Sequence, residues 1–243
     1  MTPTLQHRVQ LKRAFDFTFA LAGLLAILPL LIGIAAVAWA GDRGPVLFAQ
    51  ERIGRNRRPF RMLKFRTMVR HAERDTGPVW SWDGDPRVTR IGAILRATHL
   101  DELPQLWNVL RGEMSLVGPR PERAVFVEEL EQVIPGYINR LAIRPGITGL
   151  SQLRSGYDES LRSVRRKIRY DLLYVRRGCT LLDAMIILDT ILLMVGLSGG
   201  LALQSFRGHR LEPTALRLRR VAAHGSAEDP LRHAVRAPCV RAF

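Results

Sequence analysis

Lysine is nearly missing from this sequence of 243 residues: it occurs only at Lys12, Lys64 and Lys167, although lysine and arginine together number 37. Arginine therefore carries the basic charge, and against 22 acidic residues it leaves a formal net charge of +15. Such a surplus calls for an anionic partner, which nucleic acid, an anionic bilayer or a phosphorylated small molecule would each satisfy. Cysteine is scarce as well. Cys179 and Cys239 stand far apart, with no Cys-x-x-Cys and no histidine at metal-ligand spacing. That argues against a disulfide framework and a zinc site, and points to a reducing compartment. Gly-x-Gly-x-x-Gly, the Walker phosphate loop, Gly-x-Ser-x-Gly and His-Glu-x-x-His are all missing, which removes support for dinucleotide redox, loop-based ATP hydrolysis, serine hydrolysis and zinc proteolysis.

Charge is absent from one long stretch, Phe17 to Gly41, which has the length of a membrane segment. A cleaved signal peptide is the weaker reading, resting only on the Ala-x-Ala-like spacing of Ala36, Ala38 and Ala40. Basic residues crowd both flanks: Arg8, Lys12 and Arg13 before the stretch, and Arg43, Arg52, Arg55, Arg57 and Arg58 after it. The positive-inside tendency pulls both flanks to the cytoplasm. Pro29, near the middle, removes a backbone donor and crowds the preceding turn. Each half is then about 18 Å long, only part of a hydrocarbon core of roughly 30 Å. We therefore expect a re-entrant helix, broken at Pro29, that enters and leaves the same leaflet.

Beyond it, Pro45–Ala49 and Phe60–Phe65 suggest a hairpin around the turn-rich Gly54–Pro59. Residues 69–90 read as a loop whose Trp80 and Trp82 either anchor at a headgroup interface or simply pack. Ile91–Leu110 reads as helix interrupted between Thr98 and Pro104. Loops are expected at Val117–Pro121 and Arg144–Gly149, with a helix near Glu122–Val133 between them. Asp158–Arg177 is a basic amphipathic helix, with Leu161, Val164, Ile168, Leu172 and Val175 on its apolar face, suited equally to a membrane surface or to a core. Leu181–Leu203 is apolar but holds Asp183 and Asp189, which suits an interfacial helix better than a spanning one. From Arg207 the pattern fades into a basic tail with the composition of disorder. The fold expected is mixed α/β and mostly helical. Residues 1–43 form the membrane helix and its basic flank, 44–195 a catalytic domain, and 196–243 an apolar extension with a basic tail.

Asp101 and Glu102 are the carboxylates that could do chemistry, placed by Pro104 at the cap and first turn of a helix. The bland alternative makes Asp101 an N-cap, or the partner of Thr98 in a capping box. A helix start also favours an ionised carboxylate and any phosphate beside it. An ionised carboxylate can attack phosphorus, and carboxylate oxygens are ordinary ligands for magnesium, so Asp101 and Glu102 are candidates for both roles. Arg96, Arg120 within Gly118-Pro119-Arg120-Pro121, and Arg144 within Arg144-Pro145-Gly146 are candidate phosphate ligands on shaped backbone. Phosphoryl chemistry with carboxylate, magnesium and arginine is the enzyme class left standing.

Four stretches carry a resemblance: Lys64-Phe65-Arg66-Thr67-Met68; Thr98-His99-Leu100-Asp101-Glu102-Leu103-Pro104-Gln105-Leu106; Ser115-Leu116-Val117-Gly118-Pro119-Arg120-Pro121-Glu122; and Arg144-Pro145-Gly146-Ile147-Thr148-Gly149. Over roughly residues 10–195 the sequence resembles the monotopic phosphoglycosyl transferases, the bacterial sugar transferases that start glycan assembly. The resemblance implies a re-entrant membrane helix and a soluble part on the cytoplasmic face of the bacterial inner membrane. It also implies that Asp101 attacks a nucleotide diphosphate sugar and holds the phosphosugar until polyprenyl phosphate takes it. Glu102 would assist with Mg2+ or the acceptor, and Lys64, Arg96, Arg120 and Arg144 would bind phosphate. Uridine nucleotides are the usual donors of this family and undecaprenyl phosphate its acceptor. His99 departs from the small hydroxyl residue usual at its position. A homo-oligomer is compatible with the sequence, and no nucleic-acid partner is expected. The competing reading is a non-enzymatic, membrane-tethered polyanion-binding protein.

Overall fold

The computed structural model describes residues 3–74, 77, 79, 82, 84–153, 161–197 and 200. Trp80, the start of the expected basic helix before Leu161 and the tail after Arg207 lie outside the described residues. The protein is mostly helical, with two small two-stranded sheets. Helix α1 spans Pro3–Asp42 and carries Pro29 inside it, so the break expected at that proline is not seen as an interruption. Among the described residues it is the one helix long and apolar enough to cross a membrane. Asp16, Ala20 and Ile34 form its buried side, while Phe19, Leu25, Ile32 and Val37 are exposed.

The expected hairpin is present: β1 (Leu47–Ile53) pairs antiparallel with β2 (Pro59–Phe65) from Leu47 opposite Phe65 to Ile53 opposite Pro59. Strand alternation turns Phe60 and Met62 inward, where they meet Ala20 of α1 and Val109. The interrupted helix is present too, as α2 (Arg90–Ala97), a 3-10 turn at Leu100–Glu102, and α3 (Gln105–Arg111). Thr89 caps α2 by accepting a hydrogen bond from the Gly92 amide at 2.9 Å. Gly92 permits close contact with β2's extension: a Cβ there would lie 2.0 Å from the Thr67 carbonyl oxygen. At the other end of this unit, Arg13 of α1 donates to the Val109 and Leu110 carbonyls at 2.6 and 2.7 Å, satisfying groups that α3 leaves open at its C-terminus.

The two expected loops at 117–121 and 144–149 need correction. They contribute β3 (Ser115–Val117) and β4 (Gly146–Thr148), paired in parallel. Strands of three residues are too short for alternation to register, and the neighbouring glycines read as turn. Those glycines are what let the strands approach, because a Cβ on Gly146 would sit 2.0 Å from the Gly118 nitrogen.

Helix α4 (Ala124–Val133) packs Phe126, Val127 and Leu130 against Val164 and Ile168 of α5 (Leu161–Arg177). Of the two readings of that basic helix, the structure takes the core-facing one, so α5 is not an interfacial helix on its apolar side. In α6 (Thr180–Met194), Leu182, Asp183, Ile186 and Asp189 are buried, whereas Leu181, Leu188 and Ile191 are exposed. Lys12 of α1 pairs with Asp16 at 3.1 Å and with Asp183 at 2.8 Å. Tyr174 of α5 donates to Asp183, and the Leu116 amide donates to Asp16 at 3.2 Å. This polar group fastens α1 to α5, α6 and β3.

Candidate active site

The acidic pair sits where α2 ends and the chain turns sharply. His99 adopts a left-handed conformation (φ 56°), one that histidine tolerates better than most residues. The turn that follows carries Asp101 inward until it is 6% exposed. Neither carboxylate caps α3, whose N-cap is Pro104 with no side-chain cap. Thr98 does not form the capping box either, because its hydroxyl donates back to the Ile94 carbonyl at 2.8 Å.

Glu102 is clasped. Lys64 Nζ and Arg120 Nη2 each lie 2.6 Å from Glu102 Oε1, and Arg120 Nη1 is 3.2 Å from Oε2. Burial alone would raise the Glu102 pKa, but Arg120 and Lys64 together outweigh it and hold the carboxyl well below the usual range. Burial lowers the Lys64 pKa, against the opposing pull of Glu102. Glu102 in turn raises that of Arg120.

Asp101 is the contrasting member. Among the described residues no hydrogen bond or ion pair engages its carboxylate. Its pKa is raised, first by burial, with Glu102 acting in the same direction and Lys64, Arg96 and Arg120 acting against it. One carboxylate is thus committed to two cations, while its neighbour is buried, partnerless and within their field.

Lys64 reaches the pair from β2 and Arg120 from the loop after β3. Arg96, on α2, contributes its field to Asp101 and donates from Nε to Thr67 Oγ1 at 2.9 Å. Arg144 is not brought to the pair. Its Nε donates to the Gly112 carbonyl at 2.8 Å, beyond the far end of α3, and its charged neighbours are Arg13, Arg55 and Asp16. Roughly nine helical residues, on the order of 14 Å, separate that end from Glu102. Pro29 lies within α1 and contributes nothing to this cluster.

Three residues near the pair escaped sequence reasoning. Gln152 accepts from Arg120 Nη1 at 3.3 Å, and its own amide nitrogen is buried with no partner. Arg140, buried with Asp171, donates to the Arg120 carbonyl at 2.8 Å, to Asp171 Oδ2 at 2.9 Å and to the Tyr137 hydroxyl at 3.0 Å. Arg52 donates to the Pro121 carbonyl at 3.2 Å. The conformationally fixed Pro119-Arg120-Pro121 stretch is the one sequence signal that could have directed attention to backbone clamps around it.

No group of three or more His, Cys, Asp or Glu side chains gathers among the described residues, so an all-protein metal cage is not built there. The two adjacent carboxylates fit a magnesium ion that takes one or two protein oxygens and completes its shell with water and substrate phosphate.

A carboxylate pair flanked by arginine and lysine thus lies in a protein with one described helix long and apolar enough to cross a membrane. The chain belongs to the bacterial sugar transferase family, whose family model matches residues 7–196. It is 40% identical over 181 residues to the UDP-N-acetylgalactosamine-undecaprenyl-phosphate N-acetylgalactosaminephosphotransferase of Aeromonas hydrophila, covering 74% of this chain and 43% of that one. It is 40% identical over 183 residues to the UDP-glucose:undecaprenyl-phosphate glucose-1-phosphate transferase of Escherichia coli, covering 74% and 39%. Over 187 residues it is 42% identical to the exopolysaccharide production protein PSS of Rhizobium leguminosarum, covering 74% of this chain and 93% of that protein. The chain thus spans less than half the length of the first two relatives and nearly all of the third.

Proposed function

We propose that the protein transfers a sugar-1-phosphate from a nucleotide diphosphate sugar, with uridine as the nucleoside, to undecaprenyl phosphate, as the first membrane step of exopolysaccharide or related glycan synthesis. The observation that carries this reading is the division of labour in the acidic pair: Glu102 clasped by Lys64 and Arg120, Asp101 buried beside it with no hydrogen-bond partner among the described residues. An Asp101 oxygen attacks the phosphorus that bears the sugar. The bond to the nucleoside monophosphate breaks, and that group leaves with the electron pair. An oxygen of polyprenyl phosphate then attacks the same phosphorus and releases the Asp101 carboxylate. Splitting the displacement lets two bulky anions use one site in turn and gives ping-pong kinetics.

Arg120, Lys64 and Arg96 bind and orient the phosphates, with Glu102 holding the first two at fixed spacing. Burial of the Asp101 side chain leaves its carboxylate poorly solvated, hence reactive. When bound, magnesium supplies further neutralisation of the diphosphate, and Asp101 and Glu102 are the residues that would hold it.

The membrane arrangement proposed is monotopic, with the catalytic part on the cytoplasmic face of the inner membrane. Two features support it. Basic residues flank both ends of the apolar run. The globular part also meets both halves of α1, through Ala20 on one side of Pro29 and Ile34 on the other. A helix that crossed a bilayer straight would drag that polar domain into the hydrocarbon. The polyanion-binding alternative gains nothing from the relatives, which are named as transferases or for exopolysaccharide production.

The deciding experiment incubates purified full-length protein with Mg2+ and a panel of nucleotide sugars, with and without undecaprenyl phosphate. Stoichiometric release of nucleoside monophosphate without carrier, multiple turnovers with it, and loss of both in Asp101→Ala support the mechanism. No release across a broad panel overturns it.

A further inference from the structure

Arg144, singled out by sequence yet remote from the acidic pair, lines an open groove of about 580 Å³ against α1. Val9, Ala14 and Phe17 form its apolar wall, and Arg13 and Arg144 its basic one. The groove sits where the basic flank of α1 gives way to its uncharged run at Phe17, the depth at which lipid headgroups meet a membrane helix. From this geometry we propose that the groove is a binding site for the phosphate of an anionic glycerophospholipid, its acyl chain lying along Val9, Ala14 and Phe17.

Charge complementarity argues for that occupant. Arg13 and Arg55 both act on Arg144, and among the described residues Asp16 is the acid that opposes them. Asp16 is already engaged by Lys12 and by the Leu116 amide. Arg13 spends its guanidinium on the α3 carbonyls, whereas Arg144 makes one bond, through Nε, to Gly112. Arg55, outside the groove's lining, adds its charge to the same neighbourhood. Gathered basic charge, with the terminal nitrogens of Arg144 left over after its bond through Nε, calls for an external anion, and a phosphodiester fits a guanidinium fork. An apolar wall continuous with the exposed face of α1 favours a lipid over a free ion. The site does not depend on the transfer reaction, being at the opposite end of α3 from Asp101.

The test titrates full-length protein in detergent with short-chain phosphatidylglycerol or phosphatidylcholine and reads thermal stability, since a ligand of the folded state raises it by mass action. Phosphatidylglycerol should stabilise the wild type and phosphatidylcholine should not. The Arg55→Gln/Arg144→Gln double variant should lose apparent affinity by about thirtyfold, as expected for removing two basic side chains beside an anionic surface. Arg165→Gln/Arg166→Gln, on the exposed face of α5, should stay within about twofold of wild type because its charges lie outside the groove. Ala14→Trp, which fills the groove without removing charge, should match the double variant and keeps the test decisive if the latter does not fold. Equal stabilisation by both lipids, or unchanged affinity in either groove variant, would overturn the proposal.

Discussion

Replacing Glu102 by glutamine keeps the side chain's shape and deletes its charge, so it isolates what the clasp contributes. Glu102 accepts from Lys64, whose side chain is 19% exposed, and from Arg120, which is 42% exposed. A charge-assisted bond to a largely buried donor is worth about 2 kcal/mol. The bond to the more exposed Arg120 is screened by water and discounted to about 1 kcal/mol. The substitution should therefore cost about 3 kcal/mol, which for a chain of this size lowers Tm by roughly 6 to 12 °C. The pH dependence follows from the depressed Glu102 pKa: the stabilisation is complete above the ordinary value of 4.5 and fades as pH falls below it towards the depressed one. Thermal unfolding of wild type and Glu102→Gln in the same detergent, from about pH 7 down to about pH 3, measures both. A difference under about 2 °C at neutral pH would refute the clasp's energetic role. A difference undiminished at about pH 3 would refute its assignment to the ionised carboxylate.

Asp101 acts as an anion, and its pKa is raised from 3.8, so nucleoside monophosphate release should fall on the acid side at a pH above that value. Lys64→Met, which removes the strongest opposing cation, should move this limb of the pH–rate profile higher still; a limb moving lower would contradict the electrostatics. Asp171→Asn leaves Arg140 buried without its charge partner and should destabilise by about 3 to 5 kcal/mol in thermal or denaturant unfolding. In the folded fraction it should also raise KM for the donor, because Arg140 holds the Arg120 carbonyl. Gly92→Ala forces a Cβ to within 2.0 Å of the Thr67 carbonyl. It should cost about 1 to 3 kcal/mol or more and weaken donor binding by freeing Thr67 from Arg96.

The elements legible in sequence are those whose pattern is local. The hairpin followed from alternation around Gly54–Pro59, and the interruption at Thr98–Pro104 followed from Pro104 itself. The β3–β4 pair was not legible, because two three-residue strands joined in parallel depend on contacts some thirty positions apart and on Gly118 and Gly146 touching. In the site, Lys64, Asp101, Glu102 and Arg120 lie in motif stretches and converge, with Arg96 two residues before one of them. Arg144 lies in an equally good motif and does not, since spacing says nothing about which end of α3 its loop will face. Arg140 was hidden among many arginines, and only burial against Asp171 sets it apart. The basic helix α5 was balanced between membrane and core because its stripe of Val164 and Ile168 suits either surface; the partner from α4 decides it.

The way α1 is built into the protein bears on how the protein can be handled. Ala20 and Ile34 belong to the same apolar clusters as Met62 and Phe65, and Lys12 holds Asp183 of α6. In the monotopic arrangement proposed above, residue 43 marks a change of solvent, from lipid to water, without marking a seam in the packing. A truncated form beginning at Gly44 would open both clusters, take Lys12 from Asp183 and leave the Leu116 amide without Asp16. Deleting the anchor to obtain a soluble enzyme is therefore a route to aggregate; detergent, nanodisc or native membrane is part of the folded state's environment rather than a convenience of preparation.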